Sequence, residues 1–246
     1  PESARPSDII LRFSMFDSHL HYAALAREQW LQWREAGLSG AIGCTARPAQ
    51  WAMPPGYPAG WDGLQIAWGV HPWFAREADG EALARLECAL RSDGALQVGE
   101  IGLDYVRIHP LAPERQIQCA AFESQLSLAD RHGRIAVLHV RKAWDDFFAI
   151  MERHRGCHAI VHGFCGSVEL ARRILKDLPN CDISFGASLC NPNAVRLRAA
   201  AAIVPASRFR TDSDWPFRGG FTPVDCARLS PERLVRDGES DPRRSP

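Results

Sequence analysis

From residue 15 onward, short apolar runs alternate with stretches that repeat at helical spacing. The apolar runs are MFDSHLH (15–21), GAIGCT (40–45), QIAWGVH (65–71), ALQVGEI (95–101), IAVLHV (135–140), AIVHGF (159–164), DISFGA (182–187) and SRFRTD (207–212). Each is short, bounded by turn residues and rich in branched or aromatic side chains, so each reads as a buried strand. Segments 24–36, 77–92, 114–132, 143–154, 167–177 and 193–202 read as helices. In the third, Ile117, Ala121 and Leu128 fall at helical spacing, and Pro113 stands where a helix starts. Segment 46–64 is rich in Pro, Gly and Trp and reads as a loop.

Strands alternating with helices in this number predict an α/β fold of the TIM-like (β/α)8 barrel class. An open nucleotide-binding sheet would call for a Gly-rich phosphate turn after the first strand, and none is there. Residues 1–14 are expected to form an N-terminal extension outside the fold, and residues 15–217 the barrel. Residues 218–246 form a polar tail in which only SPERLVRDG (230–238) resembles a helix, so the closing segment is expected to be incomplete or divergent.

Composition narrows the function classes. Lys plus Arg equals Asp plus Glu at 29 each, so no net field draws a polyanion, and nucleic acid would need a local patch. The eight cysteines are scattered without a C-x-x-C pair, and neither a secretory apolar region nor a membrane-length run is evident. A cytoplasmic protein with reduced thiols and no membrane partner is expected.

In such a barrel, reacting groups sit at the C-terminal ends of the strands. His19 and His21 close the first strand, Glu100 the fourth, His139 the fifth, His162 the sixth and Asp212 the eighth. The two-residue spacing puts His19 and His21 on one side, with Asp17 one step below. Singly, each has an ordinary reading as a satisfied core or surface residue. Together, four imidazoles and two carboxylates suit Zn²⁺ or Mn²⁺ and outnumber the needs of one tetrahedral ion. Two ions sharing Glu100 is the arrangement this predicts, able to activate a water and steady a leaving oxygen at phosphorus.

FDSHLH, GVHPWF (69–74), VGEIGLDY (98–105), VLHVRKAWDD (137–146), VHGFCGS (161–167) and RTDSDWP (210–216) resemble, in this order, the motifs of the TatD-type metal-dependent hydrolases. The resemblance covers about residues 15–217; H-x-H alone is shared across the amidohydrolase superfamily. Glu100 stands where a phosphotriesterase-type site would use a modified Lys. The resemblance implies a TIM-like barrel, one or two divalent ions (Zn, Mg or Mn) and phosphodiester hydrolysis of the DNase or 3′–5′ exonuclease kind. By position, His19, His21 and Asp212 resemble the first ion's ligands, and His139 and His162 the second's, with Glu100 between. His71 matches a position near the pocket that meets substrate phosphate or leaving group, or else packs beside Pro72. Three departures stand out: Arg210 replaces an acid before the Thr-Asp pair, Tyr22 and Ala23 replace an Asp, and the C-terminal stretch is short.

Asp212 and Glu100 are the expected catalytic carboxylates, with Asp212 as general base. Arg141 could hold a phosphate oxygen with its planar fork of donors, or pair with Asp145 or Asp146. Asp104 could orient a ligand or cap a turn. Trp51, Tyr57, Trp61, Trp73 and Phe74 could stack on unpaired bases or pack a loop on the rim, and Arg47, Arg76 and Arg107 could meet phosphates. The expected partner is DNA, single-stranded or at 3′ ends, met by a monomer. A small-molecule ester, amide or lactone hydrolase and a non-catalytic or defective barrel are the alternatives. EDTA-sensitive oligonucleotide cleavage separates the first, and metal content the second.

Overall fold

The computed structural model describes residues 15–52, 63–106, 113–191, 193–217 and 221–229. Eight parallel strands follow one another round one sheet in chain order. They are β1 (Phe16–His21), β2 (Gly40–Cys44), β3 (Leu64–Trp68), β4 (Gln97–Asp104), β5 (Ala136–Arg141), β6 (Ala159–Val161), β7 (Cys181–Phe185) and β8 (Phe209–Thr211). This is the (β/α)8 barrel that the alternation predicts. Between the strands lie α1 (Arg27–Glu35), α2 (Gly80–Ser92), α3 (Arg115–Arg131), α4 (Trp144–Arg153), α5 (Val168–Asp177) and α6 (Val195–Ala202). The cysteines are all unpaired. No helix among the described residues is long and apolar enough to cross a membrane.

Local chemistry explains the boundaries. Asp79 and Ser167 accept from Ala82 and Leu170 backbone N–H groups, capping α2 and α5 where the first donors have no helical partner. Helix α3 stops at Arg131 because Gly133 takes a left-handed φ of 61°, and Arg134 N–H returns to the Ala129 carbonyl. Strand β4 runs three residues past its predicted end. Gly102 makes this possible: a Cβ there would lie 2.0 Å from the His139 carbonyl oxygen. Asp104 therefore sits on the barrel wall, paired with Arg141 of β5.

Helix faces bury Trp30, Leu86, Phe122, Phe147 and Ile174 against the sheet. A second apolar cluster of Phe16, Ile42, Ala67, Ile135, Val137 and Ile160 plugs the barrel interior. Full burial of each such side chain contributes about 1.5–3 kcal/mol.

No regular ladder joins β8 to β1 among the described residues, yet the barrel closes there. His21 N–H donates to the Trp215 carbonyl (2.8 Å) and Asp214 N–H to that of His19 (3.1 Å). Ser18 Oγ donates to the Thr211 carbonyl (2.8 Å), and Ser213 N–H to Asp17 Oδ1 (3.1 Å). Beyond it, α7 (Pro223–Ala227) is capped by Thr222, buries Pro223, Val224 and Cys226, and packs on β1. Residues 1–14, SPERLVRDG, Tyr57, Trp61 and Arg107 lie outside the described residues.

Candidate metal centre

Glu100 occupies a bulge in β4. Gly99 pairs with Val137 and Ile101 with Leu138, leaving Glu100 without a ladder partner on β5; its N–H donates to the Thr45 carbonyl instead. Bulges re-aim side chains, and this one sends the carboxylate into the mouth of the barrel. Oε1 lies 2.6 Å from His162 Nε2, 2.8 Å from His139 Nδ1 and 3.6 Å from His71 Nε2. Oε2 lies 3.3 Å from His21 Nε2 and 3.6 Å from His19 Nε2. Five imidazoles thus converge on one carboxylate. Burial would raise the Glu100 pKa, but His162, His71 and His19 hold it well below the usual carboxylate range.

A second acid completes the cluster. Asp214 Oδ1 lies 3.5 Å from His19 Nε2 and 3.6 Å from His21 Nε2. Its backbone takes a left-handed φ of 52°, a conformation Asp tolerates better than most residues and one that occurs at functional sites. Burial opposes ionisation of Asp214, yet His19 and His21 outweigh it and hold the carboxyl low. The histidines divide in response. Burial acts to lower His21 and His139, but the acids facing each (Asp214 and Glu100, Asp104 and Glu100) carry both up to about 9. Burial prevails at His19 and His71, which are pushed down.

The donor set fits divalent ions on direct grounds. Among the described residues, both ring nitrogens of His19 and Nδ1 of His162 are buried without a hydrogen-bond partner, a costly state for polar atoms that a ligated cation relieves. Three overlapping groups have metal-ligand spacing: His19, His21 and Glu100; His19, His162 and Asp214; His71, Glu100 and His139. Imidazole and carboxylate together suit Zn²⁺ or Mn²⁺.

The structure brings His19, His21, Glu100, His139 and His162 together as the spacing predicts, and adds His71. It does not bring Asp212 with them, which corrects the expectation for that residue. Asp212 Oδ2 accepts from Gly163 N–H (3.0 Å) and Ser184 Oγ (2.6 Å), tying the turn after β6, strand β7 and the end of β8 together. Strand β8 ends at Thr211, so Asp212 still belongs to the wall, while the turn that follows swings Asp214 into the cavity. The D-S-D spacing was the available signal for Asp214. With Asp214 as the site acid, Asp212 becomes the acid before it, and the departure at Arg210 disappears. Arg210 itself is buried against Asp182 (2.6 Å) on β7.

Other expected contacts divide similarly. The cavity over the cluster holds about 630 Å³ and is lined in part by Arg47, Trp73, Phe74, Arg141 and Phe217. Arg141 has no ion pair among the described residues; Asp146 is taken by Arg115 (2.8 Å) and Tyr105. Arg47 pairs with Glu77 and lies over the Phe74 ring, and Arg76 pairs with Glu114. Trp51 is buried, stacked on Trp68 with its indole N–H on the Gly69 carbonyl, so it packs the rim rather than facing the cavity. Tyr22 is buried too, donating to carbonyls of Gln50 and Ala52. Asp104 does not line the cavity. It accepts from Trp73 Nε1 (2.9 Å) and from Val106 N–H (2.9 Å) and meets His139 Nε2 (3.1 Å), so it is placed to orient a site histidine and cap the turn, not to bind substrate.

An eight-stranded parallel barrel with imidazoles and carboxylates gathered at its strand ends has the architecture of the barrel metal hydrolases. The chain belongs to the TatD-related DNase family, whose model matches residues 16–237. It is 34% identical over 154 residues to the human "3'-5' RNA nuclease TATDN2", a match covering 61% of this chain and 20% of that protein. It is 31% identical over 210 residues to the "3'-5' ssDNA/RNA exonuclease TatD" of Erwinia billingiae, covering 81% of this chain and 75% of that one. The crystal structure of YJJV, a TatD homologue from Escherichia coli K12, superposes with a TM-score of 0.76 at 25% identity, covering 91% of this chain and 94% of that chain.

Proposed function

We propose that this chain is a divalent-metal-dependent phosphodiesterase that removes nucleotides from the 3′ ends of single-stranded nucleic acid. The observation that carries the proposal is Glu100, whose two oxygens are shared among five imidazoles. A carboxylate so placed could serve two neighbouring cation sites, one through each oxygen. His19, His21 and Asp214 would hold one ion, and His139 and His162 the other, with His71 beside them. Held there, divalent ions would supply a lowered water pKa and positive charge beside the leaving oxygen.

The chain's own residues do the rest. Arg141, without an ion pair among the described residues, supplies a planar fork for a phosphate oxygen. Phe74 and Phe217 offer aromatic faces on which an unpaired base stacks, and Phe217 is 72% exposed over the cavity. Asp214 Oδ1 is the acceptor for a proton released at the cluster, because it lines the cavity and Asp212 does not. The names of the TatD relatives point to the same substrate class.

Metal-depleted and metal-reconstituted protein, each given a 5′-labelled single-stranded oligonucleotide, tests the proposal. A ladder shortening from the 3′ end, dependent on added Mn²⁺, Mg²⁺ or Zn²⁺ and abolished by EDTA, is expected. Absence of metal-dependent cleavage of DNA or RNA by reconstituted protein refutes it.

A further inference from the structure

His139 is the site histidine with an acid on each ring nitrogen. Nδ1 faces Glu100 at 2.8 Å and Nε2 meets Asp104 Oδ2 at 3.1 Å. A neutral imidazole has one donor and one acceptor nitrogen, so the acid that takes the N–H decides which nitrogen offers its lone pair. Glu100 sits inside the cluster and is shared with four other imidazoles, whereas Asp104 lies outside the cavity lining. We infer that Asp104 is a positioning residue: it takes the Nε2–H of His139 and thereby turns the Nδ1 lone pair toward the metal centre.

Asp104 is itself firmly held. The same Oδ2 accepts from Trp73 Nε1 at 2.9 Å, and Oδ1 accepts from Val106 N–H at 2.9 Å. The backbone N–H of Asp104 donates to Gln118 Oε1 at 2.8 Å, and Gln118 Nε2 returns to its carbonyl, so α3 clamps the end of β4. Every polar atom of Asp104 is therefore engaged by protein, and the residue does not line the cavity where substrate would lie. Trp73 gains a role as well. It lines the cavity, and its indole N–H fixes the rotamer of the acid that orients His139, linking the loop after β3 to the metal site on β5.

Such partners commonly set the affinity of a ligating histidine. The inference rests on the proposed metal centre, and its test separates the two. Wild-type protein is titrated with Zn²⁺ against a chromophoric chelator, and the His139 ring nitrogens are assigned by ¹⁵N-histidine NMR in the zinc-bound state. A slowly exchanging Nε2–H with Nδ1 shifted by the ion is expected in the wild type. Asp104→Ala should weaken Zn²⁺ binding roughly 10- to 100-fold and lose the slow Nε2–H signal. Asp104→Asn, which keeps an acceptor oxygen, should retain the signal and lose less than roughly tenfold. A proton found on Nδ1 of His139 in zinc-bound wild type overturns the inference whether or not the variants fold. Wild-type affinity in Asp104→Ala overturns it too, leaving the proposed function standing. A wild-type chain that binds no divalent ion overturns both.

Discussion

The two halves of the candidate metal centre are held in place by different means. On the wall formed by β4, β5 and β6, ladders frame the site: six register pairs join β4 to β5, His139 among them, Glu100 stands at the bulge between two of these pairs, and His162 directly follows β6 with its N–H on the Leu138 carbonyl. Across the seam between β8 and β1 no ladder forms among the described residues. Strand β1 is laddered on its β2 side, where His21 pairs with Cys44, and two backbone bonds, His21 N–H to the Trp215 carbonyl and Asp214 N–H to that of His19, cross to the turn after β8. There, side chains add to the backbone bonds: Ser18 reaches the Thr211 carbonyl and Ser184 Oγ and Asp17 receives Ser213 N–H, while Asp212 ties the end of β8 to Gly163 and Ser184 on its other side. A backbone ladder tolerates side-chain replacement. A side-chain seam does not, so polar substitutions on the two sides should read out differently, chemistry on the wall and stability at the seam.

Glu100 belongs to both halves, and its loss should have the largest effect. Glu100→Gln is expected to weaken metal binding and turnover by more than the roughly 10- to 100-fold typical of residues that only orient ligands. Calorimetric titration and oligonucleotide digestion read it; near-normal values in either would break the symmetry assigned to that carboxylate.

Protons should act on both halves as well. His21 and His139, one on each side, are both carried up to about 9 and so are charged at neutral pH without metal. Coordination must displace those protons. Apparent Mn²⁺ affinity should therefore rise from pH 6 to 8, by up to about tenfold per unit for each proton displaced, and level off above pH 9. A flat profile would contradict the acid pairs described at these histidines.

Arg141→Ala touches only the wall. Loss of a charged hydrogen bond to phosphate of about 1.5–3 kcal/mol should raise KM at least about tenfold with a smaller change in kcat, and metal content should not move. Ser18→Ala touches only the seam and should cost about 1 kcal/mol, lowering Tm by ~2–4 °C with the wall histidines undisturbed. Thermal melts of the metal-free protein measure it, and an unchanged Tm would mean the seam does not depend on that hydroxyl.

The same division explains what could be read from the residues alone. Ladders and helix faces follow from apolar periodicity, so all eight strands and the wall residues Glu100, His139 and His162 were legible. The seam depends on where a three-residue strand stops, and no periodicity marks that point. The sequence therefore points to Asp212 as the site acid, although β8 ends one residue earlier and the next turn presents Asp214. The bulge that aims Glu100 and the glycine that lengthens β4 to Asp104 were equally hidden, since both arise from register between strands distant in sequence. His71 was legible only as a pocket residue, because its approach to Glu100 joins a loop after β3 to β4.

The comparison of Asp214→Ala with Asp212→Ala in metal affinity, with Tm recorded on the same metal-depleted samples, tests this division most directly. Asp214→Ala should lose metal affinity more than roughly tenfold while the fold persists. Asp212→Ala should keep its metal affinity but lose about 1–3 kcal/mol of stability, because it strands Gly163 N–H and removes the acceptor of Ser184 Oγ. The reverse result, metal lost with Asp212 and retained without Asp214, would contradict the assignment of the seam and of the centre it supports.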